Sequence, residues 1–174
     1  ARVRATGAQI WSSATTVAEA RWLEARGVDA IIAQGREAGG HRGMFLTDDI
    51  DAQPGLFALL PQVVDAVKVP VIAAGGIADG RGVAAALMLG ATAAQIGTAY
   101  LLSPQATTSP VHRAALRDAR DDATRLTNLF TGRPARGIVN RIMRELGPLR
   151  PDAPAFPLAA NHLAPLRSAA ERAA

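Results

Sequence analysis

Short, almost unbroken apolar runs alternate along this chain with longer stretches in which apolar residues return every three or four positions. Val28-Asp29-Ala30-Ile31-Ile32-Ala33-Gln34 and Pro70-Val71-Ile72-Ala73-Ala74 are runs of the first kind, the pattern of strands buried on both faces of a parallel sheet. Gly7 to Ser13 reads as a shorter strand before them, and Ala93-Ala94-Gln95-Ile96-Gly97 as a fourth after them. The intervening stretches carry helical periodicity. Thr15 or Thr16 offers an N-cap for a helix to about Arg26, with Val17, Ala20, Trp22 and Leu23 near one face and Gly27 at its end. Pro54 opens a second helical pattern through Leu56, Leu59, Leu60, Val63, Val64 and Val67, and a third runs from Gly80 to Leu89, closed by Gly90. Strand, loop and helix recurring with right-handed crossovers predict an α/β fold built on a parallel sheet.

Beyond Leu101 to Pro110 the pattern changes to arginine-rich helical sequence, and from residue 131 onward it is interrupted by Gly132-Arg133-Pro134, Pro148, Pro151, Pro154, Pro157 and Pro165. The expected organisation is therefore a sheet-bearing portion over 1–110 and a helical appendage with loops over 111–174. Hydrophobic residues make up 49% of the 174 and charged residues 20%, enough apolar material for a globular core. Aromatics are only 4%, which suits close helix-on-sheet packing.

Cysteine is absent, which excludes disulfides, thiolate metal sites and a cysteine nucleophile and points to a reducing, cytoplasmic compartment; metal chemistry is not expected. The most apolar stretch, around Val63 to Ile77, is broken by Asp65, Lys68 and Pro70, so no membrane span is expected, and neither end reads as a signal peptide. The net charge of +4 and the nine arginines between Arg113 and Arg150 raise nucleic acid as a partner. Asp118, Asp121, Asp122 and Glu145 interrupt that series, and aromatics for base stacking are scarce, so a solvated helical face is the better reading.

Candidate chemistry concentrates in three segments. Gln34-Gly35-Arg36-Glu37-Ala38-Gly39-Gly40-His41-Arg42-Gly43 lies just past a strand's carboxyl end, where parallel α/β proteins place their sites. Glycines around one histidine let main chain approach a ligand closely, and imidazoles ordinarily titrate near pH 6.5, which suits proton transfer at neutrality. The alternative is a solvent-exposed loop histidine. Ala73-Ala74-Gly75-Gly76-Ile77-Ala78-Asp79-Gly80 and Gln95-Ile96-Gly97-Thr98 follow consecutive strands. Freed N–H groups at Gly76, Ile77, Gly97 and Thr98 could converge on one phosphate, aided by the positive end of the next helix and the Thr98 hydroxyl. The alternative is a pair of ordinary glycine turns.

QGREAGGHRG at Gln34 to Gly43, PVIAAGGIADGRGVAAALMLGA, QIGT at Gln95 to Thr98 and TGRPARGIVN at Thr131 to Asn140 together resemble the nitronate monooxygenases, also called 2-nitropropane dioxygenases, along nearly the whole chain. The resemblance implies a (β/α)8 TIM barrel with a smaller helical domain and FMN across the strands' carboxyl ends. Of that barrel this chain would supply about the last four βα units. The remaining strands would lie outside this sequence or come from another chain, and a homo-oligomer is compatible with either. The resemblance further implies that Gln34 and Gly39 touch the flavin region, that Gly75, Gly76, Gln95, Ile96, Gly97 and Thr98 hold the FMN phosphate, and that His41 is the catalytic histidine. The implied reaction is oxidation of alkyl nitronates by dioxygen to a carbonyl compound and nitrite. Two rivals share these segments: an FMN-dependent, NADH-using enoyl-acyl-carrier-protein reductase, and a non-catalytic half-barrel that binds flavin or phosphate. Arg133, Arg136 and Asn140 receive no role, and His112 and His162 read as structural.

Overall fold

A computed structural model describes residues 3–172. In chain order it contains β1 (Trp11–Ala14), α1 (Val17–Ala25), β2 (Ala30–Gln34), β3 (Gly40–His41), α2 (Leu56–Ala66), β4 (Val71–Ala74), α3 (Gly80–Met88), β5 (Ala93–Gln95), α4 (Pro110–Asp118), β6 (Thr124–Thr127), β7 (Ala135–Ile138), α5 (Arg141–Leu146) and α6 (Ala159–Arg172). The described chain falls into two compact units, residues 3–38 with 42–97 and residues 39–41 with 98–172.

The first unit is the βα repeat that the patterning predicts. Its four strands form one parallel sheet in the order β1-β2-β4-β5. Strand side chains alternate between faces, and parallel partners in register share a face. Ile31, Ala33, Val71 and Ala73 therefore point to the side on which α1, α2 and α3 lie, where they bury Ala20, Leu23, Leu56, Leu59, Leu60, Val63 and Ala86. Ala30, Ile32, Gln34, Ile72, Ala74 and Gln95 point the other way. Both edge strands are more exposed than the central pair, with Trp11 56% exposed while every residue of β4 is buried.

Local chemistry explains where the helices begin. Thr16 caps α1 by accepting from the Glu19 N–H at 3.2 Å, and Asp79 caps α3 by accepting from the N–H groups of Arg81 and Gly82. Gly55 at the start of α2 has no side chain to cap with. The Glu37 carboxylate supplies the acceptor instead, at 2.9 and 3.0 Å from the Leu56 N–H.

The second unit departs from a purely helical appendage. Besides α4, α5 and α6 it holds a three-stranded antiparallel sheet in the order β3-β7-β6. Gly40 pairs with Arg136 and His41 with Ala135, while Thr124 to Thr127 pair with Ile138 to Ala135. Thr124-Arg125-Leu126-Thr127 is a strand because Leu126 and Thr127 are buried, a two-faced pattern that the surrounding arginines obscure in the sequence. The boundary between units also falls at 97/98, ahead of the 110/111 position that composition suggests, because residues 98–110 are tied to α4: Arg113 donates to the carbonyls of Ser103 and Ala106.

Leu60 is fully buried between α2 and the sheet. Leu60→Ala should cost about 2–5 kcal/mol in urea unfolding, whereas Phe57→Ala on the exposed side of the same helix, where Phe57 is 75% exposed, should change the midpoint little.

Candidate functional site: glycine turns at adjacent strand ends and a histidine tied to Thr131

The first unit brings three predicted segments to neighbouring strand ends. Gln34, Ala74 and Gln95 are register partners across β2, β4 and β5 and end their strands side by side. Gly76 and Gly97 each stand two residues beyond such a partner, so the two turns emerge next to one another. Gly75 and Gly76 take positive φ of 115° and 68°, a region that side-chain-bearing residues rarely adopt. A Cβ on Gly75 would come within 2.9 Å of the Ala38 amide nitrogen, and one on Gly76 within 3.3 Å of the Glu37 Cβ. A Cβ on Gly97 would meet nothing within 4 Å. Among the described residues, no acceptor takes the main-chain N–H of Gly76, Ile77 or Gly97.

The helix end expected to help hold an anion is occupied. Asp79 accepts from both the Arg81 and Gly82 N–H groups, and the Arg81 guanidinium, followed by those main-chain bonds, holds its carboxyl below the ordinary aspartate range. The unpartnered donors lie earlier in the turn, at Gly76 and Ile77. Ile96 packs its side chain against the apolar core, so only its main chain can face a ligand. Gln95 is exposed at the end of β5.

Charged side chains organise the segment between β2 and α2. Arg42 is 1% exposed; its guanidinium donates to Gln53 Oε1 at 2.8 Å and to the carbonyls of Gly35, Gln34 and Ala38 at 2.9, 3.3 and 3.4 Å. Gln34, a candidate flavin contact, spends its Oε1 on the Gly43 N–H at 2.7 Å and so closes the loop on itself. Glu19 is fully buried on α1, and its carboxylate accepts from the Thr15 N–H and hydroxyl, both at 2.7 Å, and from the N–H groups of Phe45 and Leu46. Burial pushes this carboxyl up, but the Thr15 hydroxyl and then the main-chain donors of Phe45, Thr15 and Leu46 together outweigh it and hold it below the ordinary glutamate range.

In the second unit, Gly39 is pressed against Thr98: a Cβ there would approach the Thr98 Oγ1 to 2.6 Å. Thr98 begins a 3-10 turn, Thr98–Leu102, and is exposed. His41 is exposed on β3, with its Nε2 2.8 Å from the Thr131 Oγ1 and its ring nearly perpendicular to that of Phe156 at 5.9 Å between centroids. Sequence reasoning passed over Thr131, whose motif TGRPARG supplies β7 and so pairs with the histidine's own strand. The sequence carried no signal for it, because β3 and its pairing with β7 emerge only in the structure. His112 lies exposed on α4, and His162 lines a cleft of about 340 Å³ with Leu129, Ile142 and Leu163. Among the described residues there is no group of three or more His, Cys, Asp or Glu placed to hold a metal, and no helix long and apolar enough to cross a membrane.

The first unit is thus a parallel α/β sheet with glycine turns beyond adjacent strand ends and main-chain N–H groups at Gly76, Ile77 and Gly97 that no described residue accepts. Comparison with known proteins is more specific. The family model described as nitronate monooxygenase matches residues 1–174, and the chain belongs to that family. A probable nitronate monooxygenase of Bacillus subtilis (strain 168) is 49% identical over 143 residues, covering 82% of this chain and 41% of that protein. Among solved structures, nitroalkane oxidase from Streptomyces ansochromogenes superposes with a TM-score of 0.89 at 49% identity, covering 99% of this chain and 50% of the other. FabK from Thermotoga maritima gives 0.73 at 36% identity, over 83% of this chain and 44% of that one. The chain thus spans about half the length of the proteins it matches.

The buried charges give two stability tests. Arg42→Met should cost about 3 kcal/mol, because hydrogen bonds to a charged donor are lost and buried carbonyls are left without one; equilibrium unfolding measures it. Glu19, whose folded carboxyl is held low, contributes its stability in full above the unfolded-state pKa of about 4.3 and loses it as pH falls through the lower folded value. Glu19→Gln should therefore be the less stable protein near neutrality, and the gap to wild type should close as unfolding is repeated at progressively lower pH.

Proposed function

We propose that this chain carries the phosphate grip and the acid–base histidine of an FMN-dependent nitronate monooxygenase, which oxidises alkyl nitronates with dioxygen to a carbonyl compound and nitrite. The observation that carries the reading is the pair of glycine turns beyond the register partners Ala74 and Gln95, whose N–H groups at Gly76, Ile77 and Gly97 have no acceptor among the described residues. Such donors suit a phosphate monoester, which offers several acceptor oxygens to converging amides. Gly75, Gly76, Gln95, Ile96, Gly97 and Thr98 would hold that phosphate, the first five in one unit and Thr98 as the next residue in the chain. Gln34 and Gly39 would border the flavin. The fit is chemical as well as spatial: a Cβ at Gly76 would require a strained φ and crowd Glu37, whereas hydrogen there leaves room for close approach.

When bound, the flavin supplies the electron transfer between nitronate and dioxygen. The protein's part is binding and proton management. His41 would take the proton from the carbon next to a nitro group, or, as a cation, offset the charge on a nitronate oxygen. The names of the relatives, nitronate monooxygenase and nitroalkane oxidase, support a nitro compound as substrate.

An absorbance spectrum of the purified protein should show bound flavin, and Gly76→Val should lose it. His41→Ala should keep the yellow colour while turnover of a nitronate falls by about 10²–10⁴. Mixed anaerobically, nitronate should bleach the flavin without NADH. Rapid bleaching by NADH would instead establish the reductase reading, and a colourless protein that takes up no FMN would overturn flavin binding by this chain.

A further inference from the structure

We infer that Thr131 is a positioning residue that fixes the tautomer of His41, placing the proton on Nε2 and leaving Nδ1 as the ring's basic nitrogen; the catalytic consequence rests on the role proposed above for His41. The inference comes from counting donors and acceptors at one hydroxyl. Among the described residues, Thr131 Oγ1 has three hydrogen-bonding neighbours: the Arg133 carbonyl at 3.2 Å, the Arg133 N–H at 3.3 Å and His41 Nε2 at 2.8 Å. A threonine hydroxyl has one proton and two lone pairs. A carbonyl can only accept, so the proton goes to Arg133 O, and an N–H can only donate, so one lone pair receives Arg133. The lone pair that remains faces His41, and all three contacts are satisfied only if Nε2 carries hydrogen. The opposite tautomer would spend the hydroxyl proton on Nε2 and set Oγ1 against the Arg133 carbonyl oxygen with no hydrogen between them. Which nitrogen of a neutral imidazole is protonated is set by such second contacts.

The surroundings keep that hydroxyl where it is. Thr131 closes a turn in which Gly132 takes φ 85°, and any Cβ on Gly132 would run into the main chain of Pro154 to Phe156. Phe156, on that same segment, is the ring that stands nearly perpendicular to His41. Arg133 leads into β7, whose Ala135 is the register partner of His41 itself. Residues 131–135 thus pair with the histidine's backbone and accept from its ring, while the segment against Gly132 sets Phe156 beside it. This division of labour gives the TGRPARG motif a task distinct from substrate binding.

The test is direct. In uniformly ¹⁵N-histidine-labelled protein, two-bond proton–nitrogen correlations identify which ring nitrogen of each neutral imidazole is protonated, and His41→Ala assigns the signal. Wild type should show His41 almost wholly as the Nε2–H form, and Thr131→Ser should preserve that balance. Thr131→Val, which keeps the shape and removes the acceptor, should let the Nδ1–H form appear and lower kcat for a nitronate about tenfold or more with a smaller change in KM. A wild-type spectrum showing the Nδ1–H form overturns the inference before any variant is made. So does a Thr131→Val spectrum in which the tautomer balance of His41 is unchanged. Neither measurement needs flavin or turnover, so a failure here is separate from a failure of the flavin reading.

Discussion

Main chain that runs from a strand to a helix without regular structure must find partners for its N–H and C=O groups, and in the first unit that requirement is met largely by charged side chains. Between the end of β2 and the start of α2 the chain has almost no regular structure of its own, yet Arg42 and Gln53 are buried within it. The Arg42 guanidinium, with donors in a rigid fork, satisfies three carbonyls at once. Glu37 and Glu19 do the converse, each accepting from main-chain N–H groups: Glu37 at the head of α2, Glu19 at Thr15, Phe45 and Leu46. Arg42 and Glu19 are buried, and there desolvation raises the cost of leaving their partners unmade. Arg42 ties down the carbonyls of Gln34, Gly35 and Ala38, Glu37 joins its segment to the head of α2, and Glu19 holds the later stretch at Phe45 and Leu46.

That arrangement changes the meaning of the motif QGREAGGHRG. Its two most conspicuous charges after the histidine, Glu37 and Arg42, are spent on backbone and a neutral amide, and so is the Oε1 of Gln34. On the proposed reading, what the loop offers to chemistry is main chain at its glycines and one imidazole. A comparable economy holds at the next turn, where Asp79 occupies the head of α3 and leaves the donors at Gly76 and Ile77 as the ones open to an anion. The positive end of a helix is a poor predictor of an anion site when the helix already has an acidic cap.

How far all this was legible beforehand depended on how local the cause was. β2 and β4 were readable because burial on both faces makes them continuous apolar runs, α1 because a capping threonine precedes it, and α3 because its apolar pattern ends at Gly90. The capping of α2 was not, since its acceptor is Glu37, nineteen positions away from Leu56. β6 and β7 were hidden for a different reason. They carry Arg125, which is exposed, and Arg136, which is half-buried, and arginine tolerates helix and strand edge alike, so composition favoured the helical reading. The glycine turns were legible through their spacing after strands, and the family resemblance attached roles to them, but register alone made them neighbours.

Thr131 marks the limit of reading motifs one at a time. Nothing within TGRPARG distinguishes its threonine from a turn-forming one, and indeed it forms a turn, accepting from the Arg133 N–H two residues on. Its second lone pair acquires meaning only because β3 and β7 pair antiparallel and bring in His41 from ninety positions away. The two functions are the same hydrogen-bond inventory seen from opposite sides. By committing the hydroxyl proton to the Arg133 carbonyl, the turn makes Oγ1 an obligate acceptor, and an obligate acceptor beside an imidazole can select only the protonated nitrogen. A residue that shapes the backbone thereby decides which nitrogen of the histidine holds the proton and which is left to accept one.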